Sequence, residues 1–396
     1  MAVVDHPRTL ASPSFDAARL DALMERQGFD VIVATSRHNV QYLLGGYRFF
    51  CFESTEAMGV NCFLPIVIYW KGRSERSAYV GSGMEKLECD RGTFHDLGCF
   101  VEAGDSKQAI ERAIDLLRQS GLPARRIGIE ASFIPSEAKD ALVEAFPQGE
   151  ILNAHRTLEL LRAVKTSAEI DLLRRASDGV VESILAVFSE AREGMTKHQL
   201  IELARREQFS RGVDFKFCQA SMGASLDRTP TDQILSAGDV VSLDCVGQVA
   251  GYIGDICRMG LAGEPDAELQ DILGFVDQVQ KVVRGKVCAG VIGGDLITAG
   301  DVVVRSSPYA RTTDFTVHGL GLVSHESPRL AHGRPLPYPP SDAELPIEAG
   351  MVLSIETAVK HPARGFIKLE DTVVATELGN VALGDIGRGW NRIHDW

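Results

Sequence analysis

The segment 240–259, VVSLDCVGQVAGYIGDICRM, carries two acidic residues whose spacing could create a metal site. Its β-rich runs flank a turn near residues 249–251, which is typical of a β-hairpin. If the turn is centred between Val249 and Ala250, Asp244 faces Asp255 across the two strands. Two like charges that are directly opposed on a sheet destabilise it. We therefore expect a cation between these aspartates, and a metal ion is the simplest candidate.

A second pair of acidic residues occurs later in the chain. Residues 351–359 and 366–375 are β-rich, and the segment 361–365 joins them in a turn centred on Ala363. The same counting predicts that Glu356 faces Glu370. The motif HGLGLVSHE, which begins at His318, lies between the two hairpins in sequence. Two carboxylate pairs and one imidazole form a ligand set for two adjacent divalent ions.

The ligand types narrow the choice of metal. One imidazole among carboxylates suits Mn²⁺, Co²⁺, Fe²⁺ or Zn²⁺, whereas an all-oxygen set would favour Mg²⁺ or Ca²⁺. Two such ions ~3.5–4 Å apart can share a hydroxide, lower its pKa and polarise a carbonyl group. The ligand set therefore indicates attack by an activated water on a carbonyl carbon.

These residues and their surroundings resemble the pita-bread metallopeptidases, which include prolidase, aminopeptidase P and methionine aminopeptidase. The matching stretches are SLDCVGQVAGYIGDICR, HGLGLVSHESP, GMVLSIET and IKLEDTVV. The N-terminal part resembles the domain that precedes the pita-bread domain in prolidase, aminopeptidase P and creatinase, through NVQYLLGG at residues 39–46 and LRAVKTSAEI at residues 161–170. The resemblance implies an α/β N-terminal domain followed by an α+β pita-bread domain.

The resemblance also implies a role for each ligand. Asp244 is expected to bind one metal ion, Asp255 and Glu370 to bridge both ions, and His318 and Glu356 to bind the other. Glu356 is also expected to take the proton from the attacking water. His325, the second histidine of HGLGLVSHE, would hydrogen-bond the substrate or the developing oxyanion.

The sequence departs from the family pattern at a substrate-binding position. The family has a histidine about eleven residues before the Gly-Asp that opens the first hairpin, where this chain has Asp227 in SLDRTPTDQ. An aspartate there suggests that the substrate carries a cationic group. Cys257 replaces the usual threonine and Lys368 the usual arginine, two changes expected to tune the metal site from its surroundings.

The elements around these motifs indicate two domains. Strand and helix patterns alternate from residue 15 to residue 145, which is typical of an α/β domain. Within it, NVQYLLGG predicts a strand end and a turn. Thr166 and Glu169 then form a capping-box pattern that starts a long amphipathic helix. We predict an N-terminal domain at residues 1–160, a catalytic domain at residues 161–396, and a surface loop at the proline-rich segment 328–346.

Composition limits the partners and the compartment. The net charge of -13 and the lack of a Lys/Arg run argue against nucleic acid. No apolar run reaches the ~18 residues of a membrane span. Eight cysteines without a CxxC pair are typical of reduced thiols, so we expect a cytoplasmic protein. The resemblance implies a homodimer that binds a small molecule or dipeptide.

Three functions are compatible with the sequence. The leading hypothesis is a dinuclear metal hydrolase that cleaves a C–N amide bond, as an Xaa-Pro dipeptidase does. The second is a lyase or hydrolase of a small zwitterion on the same fold, similar to dimethylsulfoniopropionate lyase, ectoine hydrolase or creatinase. The third is a non-catalytic binding module, which the intact ligand set argues against.

Overall fold

The computed structural model describes residues 15–53, 57–58, 60–92, 94, 98–330 and 342–393. The chain divides into two compact units, Met1–Arg162 and Ala163–Trp396. Most of the proline-rich segment predicted as a surface loop lies outside the described residues.

The first unit contains a six-stranded sheet with helices around it. The strand order is β6-β5-β4-β1-β7-β8, and β4 is antiparallel to both of its neighbours. Its helices are α1 (Ala17–Gln27), α2 (Arg37–Leu43), α3 (Lys86–Asp90), α4 (Ser106–Gln119), α5 (Ser136–Ala145) and α6 (His155–Ala163). Its strands are β1 (Val31–Ala34), β2 (Ala57–Met58), β3 (Val60–Asn61), β4 (Ile66–Trp70), β5 (Ala78–Gly81), β6 (Cys99–Glu102), β7 (Arg126–Ile129) and β8 (Glu150–Asn153). The α/β architecture predicted for this part is confirmed.

The motif NVQYLLGG does not form a strand end. Residues 39–43 belong to helix α2, whose first turn is capped by the Ser36 side chain, which accepts a hydrogen bond from the Asn39 backbone N–H. Serine at this position is a helix-start signal. The prediction was wrong because the short apolar run after the serine has no clear helical period.

The second unit is built on a nine-stranded sheet. The main path is β13-β12-β14-β15-β11-β10-β9, with β16 paired to β15 and β17 paired to β11. Its helices are α7 (Ser167–Glu190), α8 (Lys197–Ser210), α9 (Ala267–Arg284) and α10 (Gly293–Arg305). Its strands are β9 (Asp214–Met222), β10 (Val240–Val249), β11 (Tyr252–Leu261), β12 (Thr313–Gly319), β13 (Glu326–Arg329), β14 (Val352–His361), β15 (Gly365–Thr376), β16 (Gly379–Leu383) and β17 (Asn391–Arg392).

Helices α7 and α9 cover the same face of this sheet. Gly254 of β11 lies against α7, where a Cβ atom would be 2.6 Å from the carbonyl carbon of Ala176. On β14, Leu353 and Ile355 join the apolar core that contains Val276 and Val279 of α9. Because side chains alternate along a strand, Asp255 of β11 and Glu356 of β14 point to the opposite face. Residues at even spacing from them along the same strands share that face.

The two hairpins differ in how well their register was predicted. In β14 and β15, Glu356 pairs with Glu370, as predicted. In β10 and β11, Val249 pairs with Tyr252, so Asp244 pairs with Cys257 rather than with Asp255. The predicted register was wrong by two residues because Ala250 and Gly251 both adopt positive φ values, of 50° and 88°, as in a two-residue type I′ turn.

Candidate metal centre

The predicted ligands lie together on the sheet face that α7 and α9 leave uncovered. One row of directly paired residues crosses five strands and consists of Thr316, Glu356, Glu370, Cys257 and Asp244. His318 and Asp255 are each two residues from this row along their own strands. Since the side-chain period of a strand is two, they share its face. The two-residue register error therefore left Asp244 and Asp255 on the same face.

The ligand atoms form two sets of three residues. In one set, single oxygen atoms of Asp244, Asp255 and Glu370 all lie within 4.8 Å of one another, and all three residues are buried. In the other set, His318, His325 and Glu356 offer atoms within the same distance of one another. Burying carboxylates is costly unless they are paired or coordinate a metal, so the first set requires cations.

The two histidines are packed together at the second set. Their ring centroids are 3.9 Å apart with an interplanar angle of 12°. His318 Nε2 lies 2.8 Å from Glu356 Oε1, and its Nδ1 lies 3.1 Å from the Gly319 carbonyl oxygen. Burial disfavours a charge on His318, but the hydrogen bond and charge of Glu356 raise its pKa. Burial, with the neighbouring His318, lowers the pKa of His325 to about 3.

Lys368 lies at the junction of the two sets. Its ammonium is 2.6 Å from Glu356 Oε2 and 2.7 Å from oxygens of both Asp244 and Glu370. Burial opposes the charge of Lys368, yet these three carboxylates raise its pKa. In turn, although burial opposes ionisation of Glu356, the charges of Lys368 and His318 hold the pKa of Glu356 well below its usual value.

Arg228 supplies a second cation. Its Nη2 donates a hydrogen bond to Asp244 Oδ2, and its guanidinium lies over the Phe366 ring at 4.6 Å from the centroid. Asp227 is exposed, and its carboxylate accepts hydrogen bonds from the backbone N–H and hydroxyl of Thr229. The structure therefore brings Arg228, and not the Asp227 predicted from sequence, to the carboxylates.

A cavity of about 610 Å³ opens beside this group. Glu356, Lys368 and Arg228 line the part next to the carboxylates. The apolar residues of its wall are Leu226, Val304, Phe315, Ala358 and Phe366. The site thus combines buried carboxylates, two histidines and a cavity large enough for a small molecule.

Comparison with known proteins identifies the family. The model of Metallopeptidase family M24 matches residues 171–377, just over half of the chain. The chain belongs to metallopeptidase family M24. The Creatinase/Prolidase N-terminal domain model matches residues 17–164 of the M24 chain. The predicted family and pita-bread fold are confirmed, and the M24 chain is a metal-dependent hydrolase.

Similar proteins cover nearly the whole M24 chain at low identity. An uncharacterised peptidase, YqhT, of Bacillus subtilis is 25% identical over 376 residues, which are 91% of this chain and 95% of the relative. An Xaa-Pro dipeptidase of Pyrococcus horikoshii is 23% identical over 372 residues, 91% of this chain and 94% of the relative. The solved structure of an Xaa-Pro dipeptidase from Bacillus anthracis superimposes with a TM-score of 0.79 at 21% identity, over 95% of this chain and 98% of that one. This likeness shows the fold.

The charges of the M24 site fit a divalent cation. Asp244, Glu356 and Glu370 contact Lys368, and Asp244 also contacts Arg228, so the four acidic groups of the site share two cationic side chains. Burial, and then the charge of Glu370, raise the pKa of Asp255 well above its usual value. Burial and the charge of Glu356 raise the pKa of Glu370 to about 7. A cation bound among these oxygens would relieve the repulsion that raises both pKa values.

Arg228 is the residue of the M24 site that sequence reasoning missed. Counting back from the hairpin pointed to Asp227, and no periodic element fixes which way the side chains of this loop point. The available signal was the positive charge of Arg228, the residue after Asp227, because a pair of buried aspartates needs a cation nearby. The place of Lys368 could have been found by strand alternation, since it lies two residues from Glu370 on the same strand face.

Proposed function

We propose that this M24 chain is a dipeptidase that cleaves the C–N amide bond of small dipeptides of the Xaa-Pro type. The observation that supports the proposal is the convergence of five residues on one sheet face beside a cavity. They are Asp244, Asp255, His318, Glu356 and Glu370. The curated relative from Pyrococcus horikoshii is an Xaa-Pro dipeptidase, which suggests the substrate class.

The proposed metal content is two divalent ions. Asp244 would hold one ion, Asp255 and Glu370 would be shared, and His318 and Glu356 would hold the other. The mixture of carboxylates with imidazole suits Mn²⁺, Co²⁺, Fe²⁺ or Zn²⁺. When bound, such ions polarise a carbonyl group and lower the pKa of water.

Glu356 is the proposed proton carrier. It lines the cavity, whereas the buried Asp244, Asp255 and Glu370 do not. Its Oε1 lies 2.8 Å from His318 Nε2, and its Oε2 contacts the Lys368 ammonium. Each carboxylate oxygen has a further lone pair, so Oε2 can take the proton of the attacking water and pass it to the leaving nitrogen.

His325 is the proposed hydrogen-bond donor to the substrate. Its stacking on His318 fixes the ring beside the ligand set, and the rest of its segment leads into β13. A donor that is held in place beside the carbonyl stabilises the oxygen as negative charge develops on it.

The test of this proposal is turnover of a substrate panel by the metal-reconstituted enzyme. Xaa-Pro dipeptides, dipeptides without proline and small zwitterions would be assayed with Mn²⁺ and with Co²⁺. We expect Glu356→Gln to lower dipeptide turnover by ~10²–10⁴-fold, the usual contribution of a general acid–base. Glu377→Gln, at an exposed glutamate, is the control and should retain full activity.

Two outcomes would overturn this assignment. Wild-type rates in Glu356→Gln would remove the proposed proton carrier. Turnover of zwitterions without any dipeptide cleavage would favour the second function class predicted from sequence. We also propose that the protein is cytoplasmic and forms a homodimer. Light scattering of the purified protein would measure its oligomeric state.

A further inference from the structure

We propose that Arg258 is a positioning residue that holds the two ligand-bearing hairpins, β10-β11 and β14-β15, at the spacing that metal binding requires. The inference rests on the proposed metal content and extends it to a residue that is not a ligand. Arg258 is fully buried, and it follows Cys257 in β11, so it points to the sheet face that α7 and α9 cover. Its side chain lies where β11 adjoins β15, a boundary that we call the seam.

The seam divides the proposed carboxylate ligands into two pairs. Asp244 and Asp255 lie on the first hairpin. Glu356 and Glu370 lie on the second. Within each hairpin, a continuous main-chain ladder runs along both strands. A change in the width of the seam would therefore move one pair of carboxylates relative to the other.

The main-chain ladder across the seam is short. Among the residues that the structure describes, β11 and β15 share a single ladder pair, Cys257 with Glu370. On one side of this pair, the Lys368 backbone N–H donates to the Met259 sulfur, 3.3 Å away. On the other side, the Thr372 hydroxyl lies 3.5 Å from a main-chain oxygen of β11. Side chains thus supply hydrogen bonds that a regular ladder would take from the main chain.

The guanidinium of Arg258 spans the seam. Its Nη1 donates to the carbonyl oxygens of Cys257 and Glu370, at 2.9 and 2.7 Å, which belong to opposite strands. Its Nε and Nη2 donate to the carbonyl oxygens of Ile386 and Gly384, at 2.6 and 3.0 Å. One planar group with donors in fixed directions therefore holds four main-chain oxygens, and one of them belongs to a proposed metal ligand.

Compensation of the Asp371 charge does not account for this geometry. Nη1 of Arg258 lies 3.1 Å from Asp371 Oδ1, but it donates to two carbonyl oxygens, and Oδ1 has no hydrogen-bond partner among the described residues. Arg388 also pairs with Asp371, and its hydrogen bonds within the described part of the chain all go to carboxylates, those of Asp371, Asp277 and Asp385. Of these two arginines, only Arg258 reaches the main chain on both sides of the seam.

The experiment titrates the metal-free protein with Mn²⁺ and follows binding by calorimetry. We expect Arg258→Lys to lower Mn²⁺ affinity ~10–100-fold, the range for groups that orient metal ligands. A lysine keeps the charge near Asp371 but has no planar set of donors for four carbonyl oxygens. The matched control is Arg388→Lys, which changes another arginine paired with Asp371 and should bind Mn²⁺ as the wild type does.

The two variants together distinguish positioning from charge compensation. Wild-type Mn²⁺ affinity in Arg258→Lys would overturn the proposal. An equal loss of affinity in both variants would contradict it as well, because Arg258 would then serve only Asp371. The titration needs no substrate, so the absence of dipeptide turnover leaves its result unchanged. A wild-type protein that bound no Mn²⁺ would remove the proposed function together with this inference.

Thr372→Val decides the question if Arg258→Lys does not fold. The variant removes one hydrogen bond across the seam and leaves every charge in place. We expect Mn²⁺ affinity to fall ~2–10-fold, the scale of one hydrogen bond. Thr357→Val is its control, because the Thr357 hydroxyl is also buried and has no hydrogen-bond partner among the described residues. Unchanged affinity in Thr372→Val, or the same loss in Thr357→Val, would refute the role of the seam and of Arg258 in it.

Discussion

The two halves of the carboxylate cluster share a sheet face but differ in how their charge is balanced. The first half, Asp244, Asp255 and Glu370, contains three buried acids and draws on Lys368 and Arg228 as cations. The second half, His318, His325 and Glu356, combines two imidazoles with one acid that reaches the cavity. A metal-dependent hydrolytic site needs both negative charge to hold cations and groups that can transfer protons. The first half concentrates negative charge, and the second presents groups that can move protons.

Lys368 connects the halves, because it contacts two acids of the first and Glu356 of the second. Its ammonium occupies one oxygen of each of these carboxylates. Metal binding by the first half must therefore compete with a cation that belongs to the chain. Variants of Lys368, His325 and Cys257 test this difference between the halves, and their effects should decrease in that order.

Lys368→Met should disturb the cluster most. Breaking a buried ion pair by removing one partner costs ~3–5 kcal/mol, because the remaining charges lose their compensation. We expect the metal-free variant to lose about that much free energy of unfolding and to regain more than the wild type does when Mn²⁺ is added. Urea unfolding with and without metal measures both quantities.

Lys360→Met is the control for that experiment. Lys360 lines the same cavity but pairs with Asp314 at a half-exposed position, where such pairs contribute only ~0–1 kcal/mol. If Lys360→Met and Lys368→Met lost equal stability, or if added metal had the same effect on both, the special place of Lys368 would be refuted.

His325→Leu, which removes the donor, tests whether the second half is the reactive one. Losing one donor to a developing oxyanion costs ~2.7–4 kcal/mol in activation free energy, or ~10²–10³ in kcat. We expect that loss with the bound metal content unchanged. His318→Gln should instead lower the metal content itself, as measured by elemental analysis of the dialysed protein. Loss of metal in both variants would make His325 a ligand rather than a substrate contact.

The sequence-based predictions of the site succeeded where the error in residue counting was an even number, because such an error keeps a strand side chain on the same sheet face. The first hairpin was misplaced by two residues because nothing in Val249–Ala250–Gly251 shows that alanine will adopt a positive φ. A two-residue shift keeps every side chain on its face, so the cluster of Asp244 and Asp255 was still found. The loop before the first hairpin has no regular alternation of side chains, so an error of one residue selects the wrong side chain. The count pointed to Asp227, whereas the adjacent Arg228 reaches the site.

The balance of charge within the cluster could not be predicted in the same way. Sequence showed that Lys368 lies near the last acidic ligand, but not that its side chain reaches three carboxylates on three strands. That contact depends on the order β14-β15-β11-β10, which pairing patterns within single hairpins do not specify. The same strand order places Cys257 between Asp244 and Glu370, although residues 244 and 370 are distant in sequence.

Cys257→Ser should disturb the cluster least, and it tests the first half because Cys257 lies between Asp244 and Glu370. The Cys257 thiol lies 3.3 Å from the Ser242 hydroxyl and belongs to the same row as Asp244 and Glu370. A serine hydroxyl is smaller and a stronger hydrogen-bond donor, so it can orient either carboxylate without removing a ligand. We expect metal affinity to change by no more than ~10–100-fold, the range for partners of metal ligands. Titration with Co²⁺, followed by its visible absorption, would measure this change in affinity. A loss much greater than ~100-fold would mean that the thiol holds the carboxylates in place, which is more than the tuning expected of a neighbouring group.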